Sequence, residues 1–221
     1  FSENEDFDTY PRKLNDDLKK LKPYTVSSVF VPSTSDIYGD DKTKIKFNHP
    51  FAKTLEGQSR PHFFPGVIDV VSRLFHIVDP AKAFFGWKDA QQLILITKMV
   101  DVLKYNIQII PGETIREQNG LAMSSRNEYL SSNQRSEAKI IWQSLKLAKK
   151  MLDDGVGSAQ KIRESIMRIL QQTRGIQIDY VSVVDMENLI EVPDIIVGDV
   201  LISIAVFFGD VRLIDNIFYK Y

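Results

Sequence analysis

Residues 83–112 read AFFGWKDAQQLILITKMVDVLKYNIQIIPG, and this stretch decides the fold class. Ala83, Phe84 and Phe85 form a short apolar run that Gly86 cuts off. Leu93, Ile94, Ile96, Val100 and Leu103 then recur at helical spacing, which gathers apolar side chains on one face. Ile107, Ile109 and Ile110 make a second apolar run, closed by Pro111-Gly112. Two strands joined through a helix predict a parallel pair with a crossover, because parallel strands cannot be joined by a tight turn. Upstream, Val67, Val70, Val71, Leu74, Phe75 and Val78 place another helix before the first strand, stopped at Pro80. This alternation assigns the first half of the chain to the α/β class.

The second half has a different pattern. Ser131 followed three residues on by Gln134 signals a capping box. The helix it opens is expected to bury Ile140, Ile141, Leu145, Ala148 and Leu152 and to end at Gly155. A further helix is expected over roughly 158–172, then a strand over 178–184. Val200 to Phe207 and Val211 to Ile217 flank Gly209-Asp210, a hairpin turn signal. Helices followed by antiparallel strands predict a smaller α+β unit. The boundary falls between Gly112 and Ser131, giving domains 1–116 and 117–221. Nearer the start, a short helix over 16–21 is expected to turn Leu18 and Leu21 inward. Val26, Val29, Phe30 and Val31 read as a buried strand ended by Pro32, Lys44 to Phe47 as a short strand, and Gly57 to Pro65 as a loop.

Composition narrows the function. With 43% apolar and 10% aromatic residues in 221, the chain can build a real core, which excludes disordered and collagen-like classes. Lys plus Arg is 28 against 29 Asp plus Glu, so no broad basic surface for nucleic acid is expected. The absence of Cys excludes disulfides, a thiolate nucleophile and thiolate-bound metal within these residues. The longest apolar run, Val200 to Phe208, is too short for a membrane span, which needs about 20 residues. The first ten residues are acidic rather than basic and then apolar, unlike a secretory leader. A soluble cytoplasmic protein with no membrane partner is the expectation. His49, His62 and His76 show no ligand spacing, and Asp16-Asp17 and Asp40-Asp41 read as surface pairs, so no metal site is expected. His76 reads as structural. No G-x-G-x-x-G, Walker A or G-x-S-x-G string occurs.

Two stretches carry candidate chemistry. Gly86-Trp87-Lys88-Asp89 follows the first strand, at the strand end where open α/β sheets bind ligands. Gly86 would admit a ligand close to the backbone, Lys88 would supply a point charge for phosphate, and Asp89 would cap the next helix. The plainer alternative is a tight turn with a solvated Lys. Gln91 and Gln92 read either as ligand-reaching amides or as surface polar residues. The second stretch runs from Asn119 to Asn127, where Ser124, Ser125 and Arg126 can wrap an anion. Its plainer alternative is a flexible linker. Together the two suggest a nucleotide phosphate held between the domains. Arg60 reads as an anion ligand or as a surface ion pair.

These strings resemble the pantothenate synthetase (pantoate–β-alanine ligase) family over nearly the whole chain. The matching residues are Asp8, Tyr10-Pro11-Arg12, Gly66-Val67, Val70-Val71, Arg73-Leu74-Phe75, Phe85 to Asp89, Gln91-Gln92-Leu93, Arg116-Glu117, Gly120 to Asn127, Tyr129-Leu130 and Arg212 to Ile217. The resemblance implies a Rossmann-like nucleotidyltransferase domain with a parallel sheet, followed by a C-terminal lid. It implies ligation of (R)-pantoate to β-alanine at the expense of ATP, through a pantoyl adenylate, with Mg²⁺ travelling with ATP. By carry-over, Gly86, Trp87, Lys88, Asp89, Ile115, Met123, Ser124, Ser125 and Arg126 bind ATP. Lys88, Ser124 and Arg126 act on the phosphates, Gln92 binds pantoate, and the enzyme is a homodimer.

The chain also departs from the pattern. Trp87 stands where the family has Glu, Asn119 where it usually has Asp, and His62 is displaced by one place. Phe1 reads as the last residue of an N-P-x-Q-F string. The family's H-x-G-H string, with its catalytic His, lies upstream of that, so these 221 residues alone are expected to be inactive. The alternatives are a non-catalytic nucleotide-binding or assembly subunit, and an adenylyltransferase using another carboxylate.

Overall fold

Strand β1 (Lys82–Gly86) pairs in parallel with β2 (Gln108–Gly112), Ala83 opposite Ile109 and Gly86 opposite Gly112. This computed structural model describes residues 8–39 and 47–221. Among the described residues, four α-helices precede β1: α1 (Leu14–Leu21), α2 (Thr34–Tyr38), α3 (Glu56–Ser59) and α4 (Phe63–Val78). Helix α5 (Ala90–Leu103) makes the crossover. Phe64, Ile68 and Phe75 of α4 meet Leu95, Ile96 and Met99 of α5 in one core, as their spacing requires.

The second unit contains α6 (Ser132–Glu137), α7 (Lys139–Asp153) and α8 (Ala159–Leu170). An antiparallel sheet follows, with β3 (Ile176–Asp185), β4 (Val200–Phe208) and β5 (Val211–Tyr219) side by side in that order. The expected hairpin turn is present, with Gly209 at a φ of 60°. Alternation along β4 makes this sheet a partition. Val200, Ile202, Ile204, Val206 and Phe208 enter the core with α7 and α8. Leu201 joins the α4–α5 core, while Ser203 and Phe207 line a cleft. The period of two in a strand therefore ties both units to opposite faces of one sheet.

Several expectations change. The capping box at Ser131 and Gln134 is present, but the helix it opens breaks at the buried Ala138 into α6 and α7. The stretch 57–65, expected as loop, contains most of α3 and the start of α4. A Cβ on Gly57 would lie 1.9 Å from the Ala52 carbonyl oxygen, so the close approach of α3 to the 3₁₀ turn Pro50–Lys53 requires glycine. Helix α1 forms but buries no residue, and Leu18 is exposed. Val26 to Val31 forms no strand and stays exposed. Apolar content permits a strand there but does not supply a pairing partner. The strand expected over 44–47 lies outside the described residues except for Phe47. No helix among the described residues is long and apolar enough to cross a membrane.

Candidate active site

A cleft of about 600 Å³ opens between the N-terminal end of α5, the loop after β2 and the inner face of the antiparallel sheet. That volume is in the range of small-molecule sites. Lys88, Asp89, Gln92, Ser124 and Arg126 all stand on its wall, so both candidate stretches converge on one space.

The Lys88 side comes from a 3₁₀ turn, Trp87–Asp89, between β1 and α5. The Asn216 amide on β5 holds this turn, donating to the carbonyl oxygens of Trp87 at 3.1 Å and Lys88 at 2.8 Å. Helix α5 then starts at the cleft, presenting its positive dipole end. Asp89 occupies the N-cap position but makes no capping bond, contrary to the sequence reading. Its φ of −98° and ψ of 57° depart from the extended geometry that folds a cap side chain back onto the helix. Gln91 and Gln92 divide their roles. Gln91 is buried, donating to the carbonyls of Phe51 and Thr54 and accepting from the Glu56 amide. Gln92 is half-buried and faces the cleft.

The Ser124–Arg126 side is an ordered loop, not a flexible linker. Met123 N–H donates to the Ile115 carbonyl, and Glu117 N–H to that of Leu121. Arg116 closes the loop from outside. It grips Asp215 with two bonds of 2.6 and 3.0 Å, donates to the Gly120 carbonyl and stacks 3.6 Å above the Trp142 ring. Gly120 is required there: its φ is 94° and a Cβ would lie 2.4 Å from Trp142 Cδ1. Beneath the loop, buried Asn127 donates to Glu117 and to the Ala122 carbonyl. The Arg135 hydrogen bond chiefly holds the Glu117 carboxyl below its usual range, against partial burial. Ser124 Oγ accepts from the Arg126 amide and starts a 3₁₀ turn, Ser125–Tyr129. Residues 9–13 cross this turn: Tyr129 donates to the Thr9 carbonyl, Lys13 pairs with Glu128, and the Arg126 guanidinium lies 5.6 Å from the Tyr10 ring.

The floor of the cleft was not legible beforehand. Glu56 on α3 is buried and accepts two bonds from Arg212 on β5, at 2.7 and 2.8 Å. Tyr180 donates to the same carboxylate at 2.8 Å, and Arg60 lies 3.5 Å away. Arg212 also donates to Asp179. Burial pushes the Glu56 pKa up, but the bonds and charge of Arg212, the Tyr180 hydroxyl and the charge of Arg60 outweigh it, leaving the carboxyl below its usual range. Burial first, then the Glu56 charge, pushes the Tyr180 phenol well up, so it stays a donor. No local pattern links positions 56, 179, 180 and 212. The available signals were the family-matching string Arg212 to Ile217 and the spacing of Arg212 and Asn216, four apart on a strand and so on one face.

Other expected residues lie off this wall. Gly86 has an ordinary φ of −71° and open space where a Cβ would go. The Trp87 ring packs edge-on against Phe218. Ile115, Met123 and Ser125 are exposed and do not line the cleft. No His lines it; His76 Nδ1 sits 2.9 Å from the Ser72 carbonyl oxygen, a structural contact. No group of three or more His, Asp or Glu with metal-binding geometry occurs among the described residues.

A parallel strand pair whose crossover helix opens on a cleft lined by Lys88, Ser124 and Arg126, with an antiparallel sheet on its other side, defines an α/β protein with a small-molecule-sized cleft at the end of its crossover. The pantoate–β-alanine ligase family model matches residues 1–218, and the chain belongs to that family. Pantothenate synthetase of Acetivibrio thermocellus is 45% identical over 217 residues, covering 98% of this chain and 77% of the relative. Its counterpart in Staphylococcus epidermidis is 43% identical over 218 residues, with 98% and 76% covered. The crystal structure of pantothenate synthetase from Thermus thermophilus superposes with a TM-score of 0.92 at 34% identity, over 98% of this chain and 78% of that one. Pantoate–β-alanine ligase from Francisella tularensis, solved with β,γ-ATP and β-alanine, gives 0.69 at 30% identity, over 96% and 72%.

Proposed function

We propose that this protein joins (R)-pantoate to β-alanine at the expense of ATP, giving pantothenate, AMP and pyrophosphate. The observation that carries the reading is the convergence of Lys88, Gln92, Ser124 and Arg126 on one cleft in a chain of this family. A pantoate carboxylate oxygen attacks the α-phosphorus, and the bond to the bridging oxygen of pyrophosphate breaks. The β-alanine amine, as the free base, then attacks the acyl carbon, and AMP leaves with the oxygen that came from pantoate. Neither step needs a covalent enzyme intermediate. The protein's work is to neutralise charge, align the reactants and keep water from the mixed anhydride.

In this reading Lys88 and Arg126 neutralise the phosphates, Ser124 donates a hydrogen bond to them, and Gln92 holds pantoate. Asp89 shares the cleft wall with them, and the carry-over from the family extends the ATP site beyond the cleft to Gly86, Trp87, Ile115, Met123 and Ser125. Mg²⁺ enters as the counter-ion of ATP, held mainly by phosphate oxygens and water, as this ion prefers. The domain boundary at 117 belongs to the same reading; Leu121 and Leu130 packing with α7 and α8 supports it. A homodimer and a cytoplasmic setting belong to it as well, both carried over from the family.

Replacing Lys88 with Ala tests the assignment in the natural full-length protein. Pantoate-dependent pyrophosphate release should fall about 10²–10³-fold, the usual loss for one charge-stabilising donor, with the thermal midpoint unchanged. Wild-type release by that variant would refute the phosphate role.

A further inference from the structure

Asp215 and Asn216 are adjacent on β5, so their side chains leave opposite faces of the strand. Both are buried, at 3% and 4% exposure, where a polar side chain is costly unless bonded. Each is bonded to a different half of the cleft. Asn216 donates to the Trp87 and Lys88 carbonyls of the first phosphate-binding stretch. Its Oδ1 has no hydrogen-bond partner, so these two donations alone orient the amide. Asp215 accepts both bonds from Arg116 and a third, at 2.8 Å, from the Asn216 backbone N–H. Arg116 in turn ties down Gly120, in the loop that leads into Ser124 and Arg126. Strand β5 pairs with β4 without a break in register from Val211 to Tyr219, so it is a stiff support.

We propose that Asp215 and Asn216 are positioning residues that set the separation between Lys88 and the Ser124–Arg126 turn. The inference rests on the proposed function and adds a means by which the fold achieves it. One peptide unit joins the anchors of the two stretches. A shift at either anchor changes the span across which a triphosphate must be gripped, and misplacement of about 1 Å can cost 10²-fold in rate. The two half-reactions depend on this span differently. Adenylate formation engages the whole triphosphate. Attack of β-alanine on preformed pantoyl adenylate involves a single phosphate and no pyrophosphate.

The test compares wild type with Asn216→Asp, Asp215→Asn and Arg116→Lys in the natural full-length protein. Asn216→Asp keeps the volume but removes both donations. Arg116→Lys keeps the charge but loses the planar fork. Pantoate-dependent pyrophosphate release is measured beside pantothenate formation from synthetic pantoyl adenylate and β-alanine, with a thermal melt of each variant. Expected are losses of about 30-fold or more in pyrophosphate release, on the scale of small misplacements, with adenylate consumption within about threefold of wild type. Equal losses in both half-reactions would mark a general structural role and overturn the proposal, as would unchanged pyrophosphate release in folded variants. Should Asn216→Asp fail to fold, Arg116→Lys carries the same two-assay comparison. A wild-type protein that performs neither half-reaction would overturn the proposed function and the positioning role with it, an outcome distinct from equal losses in the variants.

Discussion

Replacing Glu56 with Gln removes one negative charge from beneath the cleft while keeping the side chain's size. In the wild type this carboxylate receives two bonds from Arg212 and one from Tyr180, and its side chain is only 7% exposed. Breaking a buried pair by removing one partner costs about 3–5 kcal/mol, because the other charge stays buried. Arg212 keeps its two bonds to Asp179, which places the loss near the lower end, about 3 kcal/mol. For a protein of this size that is a drop of about 6–12 °C in thermal midpoint. Urea unfolding followed by fluorescence of Trp87 and Trp142 measures it, with an unchanged slope confirming that only stability moved.

The sign of the pH dependence follows from the lowered pKa. Glu56 is held below its ordinary 4.5, so its contribution is complete above that value and is lost as pH falls through the folded-state pKa. The gap between wild type and Glu56→Gln should be full at pH 7 and narrow below about pH 4.5. A gap under about 1 kcal/mol at pH 7, the scale of a surface pair, would refute the reasoning, and so would a gap that stays constant down to about pH 3.

Gly120→Ala should lower stability by at least about 2 kcal/mol through its left-handed φ and the clash with Trp142, and should depress pyrophosphate release; thermal melts and the release assay check both. Gln91→Leu leaves the Phe51 and Thr54 carbonyls and the Glu56 amide without their partner, so a loss of about 2–4 kcal/mol in urea unfolding is expected.

The legible parts of this fold were those encoded by short-range periodicity. The β1–α5–β2 crossover, the Ser131 capping box and the Gly209 hairpin each depend on residues a few positions apart, and each is present. What periodicity could not carry was partnership. Val26 to Val31 has the composition of a strand but, among the described residues, no strand beside it. The helix opened at Ser131 also breaks at the buried Ala138, which no helix-stopping residue there announces. Lys88, Ser124 and Arg126 were readable as candidates because their types suit phosphate, and the structure brings all three to one cleft. Glu56 and Arg212 were not, because their meaning lies in a contact across 156 positions. Gln91 and Gln92 show the same limit on one turn of helix: residues of equal chemistry take a structural and a cleft-facing place, decided by what packs against α5.

The reaction path is tested most directly by following oxygen. Full-length protein is given pantoate labelled with ¹⁸O in its carboxylate, together with ATP and β-alanine, and the AMP is examined by mass spectrometry. An adenylate path transfers one labelled oxygen from pantoate to the AMP phosphate in each turnover. Unlabelled AMP, or label appearing in inorganic phosphate instead, would contradict the path through a pantoyl adenylate.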